Sequence, residues 1–537
     1  MNIRDKQSPW KIRAPIGFAI SFVLVIVMAK AAILVRDGEI DGRLAIPPPY
    51  DDVVYFTDAL ERLQIIHHDG AVALLGSLVQ RPPHAPYSTA AALLAFLFGG
   101  VTQKGPYLVN AITIGLLLVF LLAKFRLRAS MAVPLALITV ALPWFDHAVT
   151  VFHPDLIAGL GAAVIGVTLL WYADTLRTRL QAFSIGAVAG LVLLVKPVAF
   201  VMLLVLWATA LVFGIAIAWH RDRHFSRHVV RLGFITLGLA LIAGPYFAVK
   251  FGDIVGYIRL GFIVQHDVWT VNRPLWESLT YYPGHAVKMF GWLGIGAAGA
   301  FYSAAFVVAA RKGDRSTAWC FLGLLPLLGV AYFVPTFPDV KTELFGGVLY
   351  GCILVCLLVS LAYVLERVAR NWWSRVLPLV AVSVVAIVCL GDRQQRWSSE
   401  AIQELNDQVG QLYTVANDYA HNGHLKDKFS KNSMVPVFFS CPFPAPHAVR
   451  FRAMREGWDF LMTSTYSQDL NVWKDLATSA AMIVVPDDRF LQKTFDFPSN
   501  HLIPALRIWL KQDDRFTRIA TIHSSAGAID VYGQLGQ

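Results

Sequence analysis

Apolar runs of about 17 to 22 residues, close to the ~20 needed to cross hydrocarbon as a helix, recur along this chain from Pro15 to about Leu390. They predict helices near 15–35, 106–123, 130–146, 155–173, 182–198, 199–219, 232–249, 287–310, 316–334, 344–364 and 375–391, with a shorter run at 87–101. After residue 392 the pattern changes. Ile402, Leu405, Val409, Leu412 and Val415 recur at helical spacing, while "MVPVFFS", "AAMIVVP" and the pair "FTRIATI" and "AIDVYGQ" around "HSSAG" read as strands, the last two as a hairpin. Between the first two long runs, "DDVVYFTDALERLQII" places Phe56, Ala59, Leu60 and Leu63 on one helical face, with Asp58, Glu61 and Arg62 off it. That is an amphipathic helix lying on a membrane surface.

Composition agrees: 56% of the residues are hydrophobic and 15% charged, with a mean hydropathy of +0.54, far from a soluble profile. The net charge of +10 does not indicate nucleic acid, because the basic residues sit in short clusters between apolar runs. These are the N-terminus, Lys124/Arg126/Arg128, Arg177/Arg179, Arg221/Arg223/Arg227/Arg231, Arg311/Lys312/Arg315 and Arg367/Arg370/Arg375. By the positive-inside rule all six face the cytoplasm. Three apolar runs lie between the first two clusters, where an even number of crossings is required. The 87–101 run, shortest and preceded by "RPPHAPYS", is therefore assigned to the outer surface.

The expected fold is thus a polytopic α-helical membrane protein of about 11 crossings carrying a soluble C-terminal α/β domain. The membrane domain covers 1–392, with an outer-face loop at 36–105 holding amphipathic helices, and the exported domain covers 393–537. The outer face also receives the "FDHAVTVFHPD" turn, a long loop from about Lys250 to His285 and the "PTFPDVKTE" turn. The first run follows Arg4, Lys6, Lys11 and Arg13 without a cleavage pattern, so it is read as a retained helix with a cytoplasmic N-terminus. Cys441 is the only cysteine in the tail, which leaves no disulfide framework, and no Asn-x-Ser/Thr sequon occurs. A bacterial inner membrane fits both. The tail shows no phosphate loop, metal cluster or nucleophile motif, which points to a lid or acceptor-docking role.

Asp51 and Asp52 open the amphipathic helix directly after "PPPY". A carboxylate at a helix N-terminus caps exposed N–H groups and suits the macrodipole. One cap accounts for one carboxylate and leaves the second to be explained.

An acidic pair followed three residues later by Tyr55, just after the first crossing on the outer face, resembles the signature of the C-type glycosyltransferases, above all the protein O-mannosyltransferases and lipid A aminoarabinose transferases. "HAPY" before the non-spanning helix, "FHPDLIAG" opening the fourth crossing, "LLVKPVAF" near the end of the fifth and "FPDVKTELFGG" before the tenth follow in order. Together they cover roughly residues 10 to 390. The sequence departs from the pattern with "HAP" where many relatives have His-Pro-Pro, and with Lys341 where many have Arg.

The resemblance implies inverting transfer of a sugar from a polyprenyl-phosphate donor to a lipid, glycan or protein acceptor, with Asp51 as general base. Such a base contributes about 10² to 10⁴ in rate. Adjacent carboxylates raise one another's pKa, so Asp52 could orient the base or, with Asp51, hold a divalent cation; no cofactor is otherwise implied. The departing phosphate needs fixed positive charge, for which Lys341, Lys196, Arg259, Arg273 and Lys288 are the candidates. Tyr55, His84, His153 and Asp155 are the candidate substrate contacts. Each has a plainer reading: Lys196 could snorkel from the end of a crossing, Lys341 could pair with Asp339 or Glu343, and the histidines could be interfacial hydrogen-bonders. Trp269, Trp276, Tyr281 and Tyr282 form either an aromatic belt or a surface for stacking on a sugar. The competing function is a secondary transporter or lipid flippase, whose doubled helix repeat is not found here.

Overall fold

The computed structural model describes residues 16–40, 44, 51–102, 104–125, 127, 131–220, 223–264, 274–338, 341–368, 399–422, 434–440, 446–491, 498–525 and 527–535. The chain forms two compact units. One comprises Met1–Val35, Ala71–Ala95 and Lys104–Gln394, the other Arg36–Gly70, Phe96–Gln103 and Gln395–Gln537.

In chain order the helices are α1 (Ile16–Ile40), α2 (Asp51–Gln80), α3 (Pro86–Gly99), α4 (Lys104–Phe125), α5 (Ala132–Ala141), α6 (Pro143–Thr150), α7 (Pro154–Leu170), α8 (Tyr172–Thr175), α9 (Arg179–Val195), α10 (Phe200–Trp219), α11 (Phe225–Arg259), α12 (Leu275–Arg311), α13 (Arg315–Thr336) and α14 (Gly347–Val368). In the second unit they continue as α15 (Ser399–Asn417), α16 (Pro446–Arg455), α17 (Leu470–Ser479), α18 (Asp488–Leu491) and α19 (Ile503–Gln512). Helix α2 belongs to both units, and it is kinked at Gly70, whose φ of 84° only glycine takes up freely.

Among the described residues six helical segments are long and apolar enough to cross a membrane: Lys104–Phe125, Pro197–Trp219, Phe225–Arg259, Leu275–Arg311, Arg315–Thr336 and Glu343–Arg367. Over the crossing expected at 130–146 lie two helices, α5 and α6, bent by 74°, which together are long and apolar enough to count as a seventh, broken span. Pro143, at the first position of α6, cannot donate to the preceding turn, and Leu142 is extended (ψ 140°). The "FDHAVTVFHPD" turn is correspondingly helical as far as Thr150. Helices α7 and α9 match two further expected crossings but have 17 residues each. The 375–391 run lies outside the described residues. Helix α3, over the run expected not to cross, has 14 residues, about 21 Å at ~1.5 Å per residue. The expected loop at 250–285 is shorter than the sequence pattern suggested. Helix α11 runs on to Arg259, with Lys250 paired to Asp253 at 2.6 Å, and α12 begins at Leu275.

Helix α7 is the axis of the first unit, and all its residues are buried. It can lie so deep because α14 meets it through backbone. A Cβ on Gly159 would collide with the Gly347 carbonyl, one on Gly351 with the Gly159 carbonyl, and one on Gly347 with the Asp155 carbonyl. This small-residue seam is the membrane way of bringing helices together. Gly159→Ala is expected to lower stability by about 1–3 kcal/mol, the usual cost of overpacking, read as a fall in melting temperature in detergent.

The second unit contains a five-stranded sheet in the order β2-β1-β3-β5-β4, formed by β1 (Met434–Phe439), β2 (Asp459–Thr463), β3 (Met482–Pro486), β4 (Phe516–Ser524) and β5 (Gly527–Gln534). β1 is parallel to β2 and β3, while β5 is antiparallel to β3 and pairs with β4 in the expected hairpin. The expected strands occur; β2, from the short polar-edged "DFLMT", was not anticipated. Side-chain alternation builds two layers. Val435, Val437, Val484 and Val531 face Leu412, Ala448 and Val449 of α15 and α16. Phe438, Ile483, Val485 and Tyr532 face Trp473, Leu506 and Leu510 of α17 and α19.

Within this unit the first half of α2 buries Phe56, Ala59, Leu60 and Leu63 as the pattern foretold. Arg62, expected off that face, is buried too, its guanidinium 3.2 Å from Asp58 one turn earlier.

A buried polar cluster around residues 143–155

Charged side chains of the first unit gather on the segment from Pro143 to Asp155. The bend at Leu142 turns α6 so that consecutive residues reach different neighbours. Asp146 lies 3.2 Å from Lys30 of α1, and His147 Nε2 lies 3.5 Å from Glu343 Oε1. The other Glu343 oxygen is 3.9 Å from His285 Nε2 on α12. His285 Nδ1 is 2.8 Å from the Tyr281 carbonyl, and its ring lies 4.4 Å from that of Tyr281.

Further along the segment, His153 precedes α7, Pro154 takes its first position and Asp155 sits in its first turn. There the unpaired N–H groups and the macrodipole favour a carboxylate. Asp155 Oδ2 accepts a hydrogen bond of 2.9 Å from Lys196 Nζ and is in contact with His153 Nδ1. Lys196 is the C-cap of α9. Pro197 forces the residue before it out of helical geometry, and Lys196 accordingly has φ −139°. Its cation thus stands at a helix C-terminus, where positive charge is favoured. Asp155 and His153 are both 8% exposed. Stripping a carboxylate of water costs several kcal/mol, so a charged Asp155 persists here because it is paired with Lys196.

Near Glu343, the His147 Nδ1, Tyr282 Oη and Tyr350 Oη atoms are buried with no hydrogen-bond partner among the described residues, as is Trp144 Nε1 on α6. Gly346 admits the two tyrosines: a Cβ there would strike the Tyr350 hydroxyl and come within 2.8 Å of the Tyr282 ring. A wall of N–H and O–H groups beside a carboxylate is suited to hydroxyl or phosphoryl oxygens.

The sequence candidates divide accordingly. His153, Asp155 and Lys196 are brought together. Lys341 is buried, and its ammonium donates to the carbonyls of Thr336 and, at 2.6 Å, Pro338, at the C-terminal end of α13. It also lies 5.9 Å from the centre of the Tyr282 ring. Arg259 and Lys288 are exposed. His84 is exposed with its ring 4.8 Å from that of Tyr257, and the Tyr246 hydroxyl donates to the neighbouring Pro83 carbonyl at 2.9 Å. Asp52 and Tyr55 lie on the buried face of α2. The Asp51 side chain, Arg273, Trp269 and Asp339 lie outside the described residues. The proposed aromatic belt separates into an exposed Trp276 and a fully buried Tyr282. Among the described residues no three His, Cys, Asp or Glu side chains group to hold a metal ion.

Sequence reasoning missed Lys30, Asp146, His147 and His285, and it named Glu343 only as a partner for Lys341, where the structure places it beside His147 and His285. Lys30 had a visible signal, a lone charge within the first apolar run, which in a membrane marks a functional or paired position.

No family model matches this chain, and no curated protein does. Solved structures do. The crystal structure of ArnT from Cupriavidus metallidurans bound to undecaprenyl phosphate covers 97% of this chain and 98% of its own, with a TM-score of 0.54 at 14% identity. The apo structure of the same protein covers 93% and 97%, with a TM-score of 0.54 at 13% identity. The likeness is one of fold, and it extends over nearly the whole of both chains.

Proposed function

We propose that this shared fold carries a shared class of chemistry, and that the chain is an integral-membrane glycosyltransferase. In this reading it moves a hexosyl or pentosyl group from a polyprenyl-phosphate donor to a lipid, glycan or protein acceptor on the outer face of a bacterial inner membrane. The observation that supports it most is the fold match over 97% of the chain to a protein crystallised with undecaprenyl phosphate.

The proposed step is a single displacement with inversion. An acceptor hydroxyl attacks the anomeric carbon, Asp51 takes the hydroxyl proton, and the bond from that carbon to the phosphate oxygen breaks. Asp52, one residue further into α2, orients the base. The polyprenyl phosphate leaves with one more negative charge, which Lys196 and Lys341 offset, with Arg259, Arg273 and Lys288 as outer contributors. Asp155 and His153 hold the Lys196 ammonium in place, while Tyr55 and His84 contact substrate.

The test is transfer in proteoliposomes holding a radiolabelled polyprenyl-phosphate sugar and candidate envelope acceptors. Donor-dependent glycosylation with release of polyprenyl phosphate supports the reading. Movement of the labelled lipid between leaflets with no glycosyl transfer would instead establish a flippase.

Lys341→Met discriminates between two roles in the same assay. A phosphate contact would lose a charge-assisted bond worth about 1.5–3 kcal/mol, a ten- to hundredfold fall in transfer efficiency at ~1.4 kcal/mol per decade. Unchanged kinetics with a lowered melting temperature would leave Lys341 as a cap on the carbonyls of Thr336 and Pro338.

A further inference from the structure

The buried face of α2 begins with the second residue of the acidic pair: Asp52, Tyr55, Phe56, Ala59, Leu60 and Leu63 are all buried at spacings of three and four. What covers this face comes from the far end of the sequence. The Phe56 ring lies 6.1 Å from that of Phe451 on α16 and 6.1 Å from Phe96, and Phe96 and Phe451 are 6.4 Å apart. On the next face, Arg450 Nη2 donates to Glu61 Oε1 at 2.6 Å, and Gln64 Nε2 donates to the Met454 carbonyl at 3.4 Å.

Arg450 does not depend on Glu61 for its place. Asp459, the first residue of β2, grips it in two parallel bonds, Nε to Oδ1 at 2.8 Å and Nη2 to Oδ2 at 2.7 Å. Burial works against the charge of this guanidinium, yet the bonds from Asp459 and Glu61 outweigh it and raise its pKa above the ordinary value. Such a fork is rigid and directional. The sheet therefore presets a cation that α2 engages at Glu61, ten residues and roughly 15 Å of helix from Asp51.

We propose that α16 is a brace for the acid-bearing helix, with Arg450 and Phe451 as positioning residues that fix the rotation and height of α2. This rests on the reading of Asp51 and Asp52 as base and orienter, and it gives the C-terminal domain a role in catalysis without contact with substrate. The arrangement has the logic of a preorganised site, in which a misplacement of about 1 Å can cost ~10²-fold.

Glu61→Gln in the full chain tests it, because Arg450 remains held by Asp459 and the sheet keeps its own contacts. In proteoliposomes the variant is expected to lose about tenfold in kcat, with KM for the donor within twofold. Glu61→Asp, which keeps the charge on a shorter arm, is expected to recover part of that loss. Amide exchange across residues 52–66 is expected to speed up while that of β1 to β5, and the melting temperature, stay as in the parent. Unchanged exchange in 52–66 would overturn the brace, as would a kcat within twofold of the parent or a loss that merely tracks a fall in melting temperature. Failure of the base assignment would look different: Asp51→Asn and Asp52→Asn would both turn over normally, while the exchange change in Glu61→Gln would persist.

Discussion

Asp51→Asn is expected to leave the protein folded and able to bind donor while cutting transfer by about 10² or more. The amide is nearly the size of the carboxylate but cannot take a proton from the acceptor, so the loss should fall on kcat with little change in KM. Asp52, buried on the face that packs toward Phe451 and Phe96, is expected to cost less in transfer when changed to Asn and more in stability. If Asp52→Asn is the dead variant and Asp51→Asn turns over, the base is one residue further on. Normal turnover by both ends the case for an enzyme that uses this pair.

Lys196→Met is expected to lower stability by about 3–5 kcal/mol, the usual consequence of stranding one member of a buried ion pair. Among the described residues Asp155 would then keep His153 beside it, in a site 8% exposed. Adding Asp155→Asn to make the double variant removes the stranded charge and should return most of the stability. Transfer is the informative quantity. If Lys196 only fastens α9 to α7, the double variant regains activity along with its melting temperature. If its charge serves the departing phosphate, stability returns and activity does not.

Local periodicity made much of the chain legible. The stripe of Phe56, Ala59, Leu60 and Leu63 forecast a buried helical face, and "FTRIATI" with "AIDVYGQ" forecast the β4–β5 hairpin, because both signals lie within a few turns or strands of sequence. Pairings between distant residues left no such trace. Lys196, Asp155 and His153 could each be singled out, yet their meeting depends on how α9 packs on α7. Arg450 and Glu61 meet across 389 residues, and nothing near either position announces the other. The bend at Leu142 was signalled by Pro143 but was overridden in the reading by the apolar residues on both sides. Lys341, placed by its sequence in a polar turn, instead turned back onto the carbonyls that end α13.

The glycine seam between α7 and α14 has a counterpart in biosynthesis. Gly347 is made roughly 190 residues after Gly159, an interval on the order of 10 to 40 s at about 5–20 residues per second. Through that time α7 has none of the α14 backbone that will finally enclose it, and its apolar side chains must be accommodated by something other than their final partner. Its sequence, "PDLIAGLGAAVIGVTLL", must therefore suit two surroundings in turn, one before α14 is made and one after. This accounts for why a helix with no exposed residue in the finished fold keeps the composition of one that faces lipid.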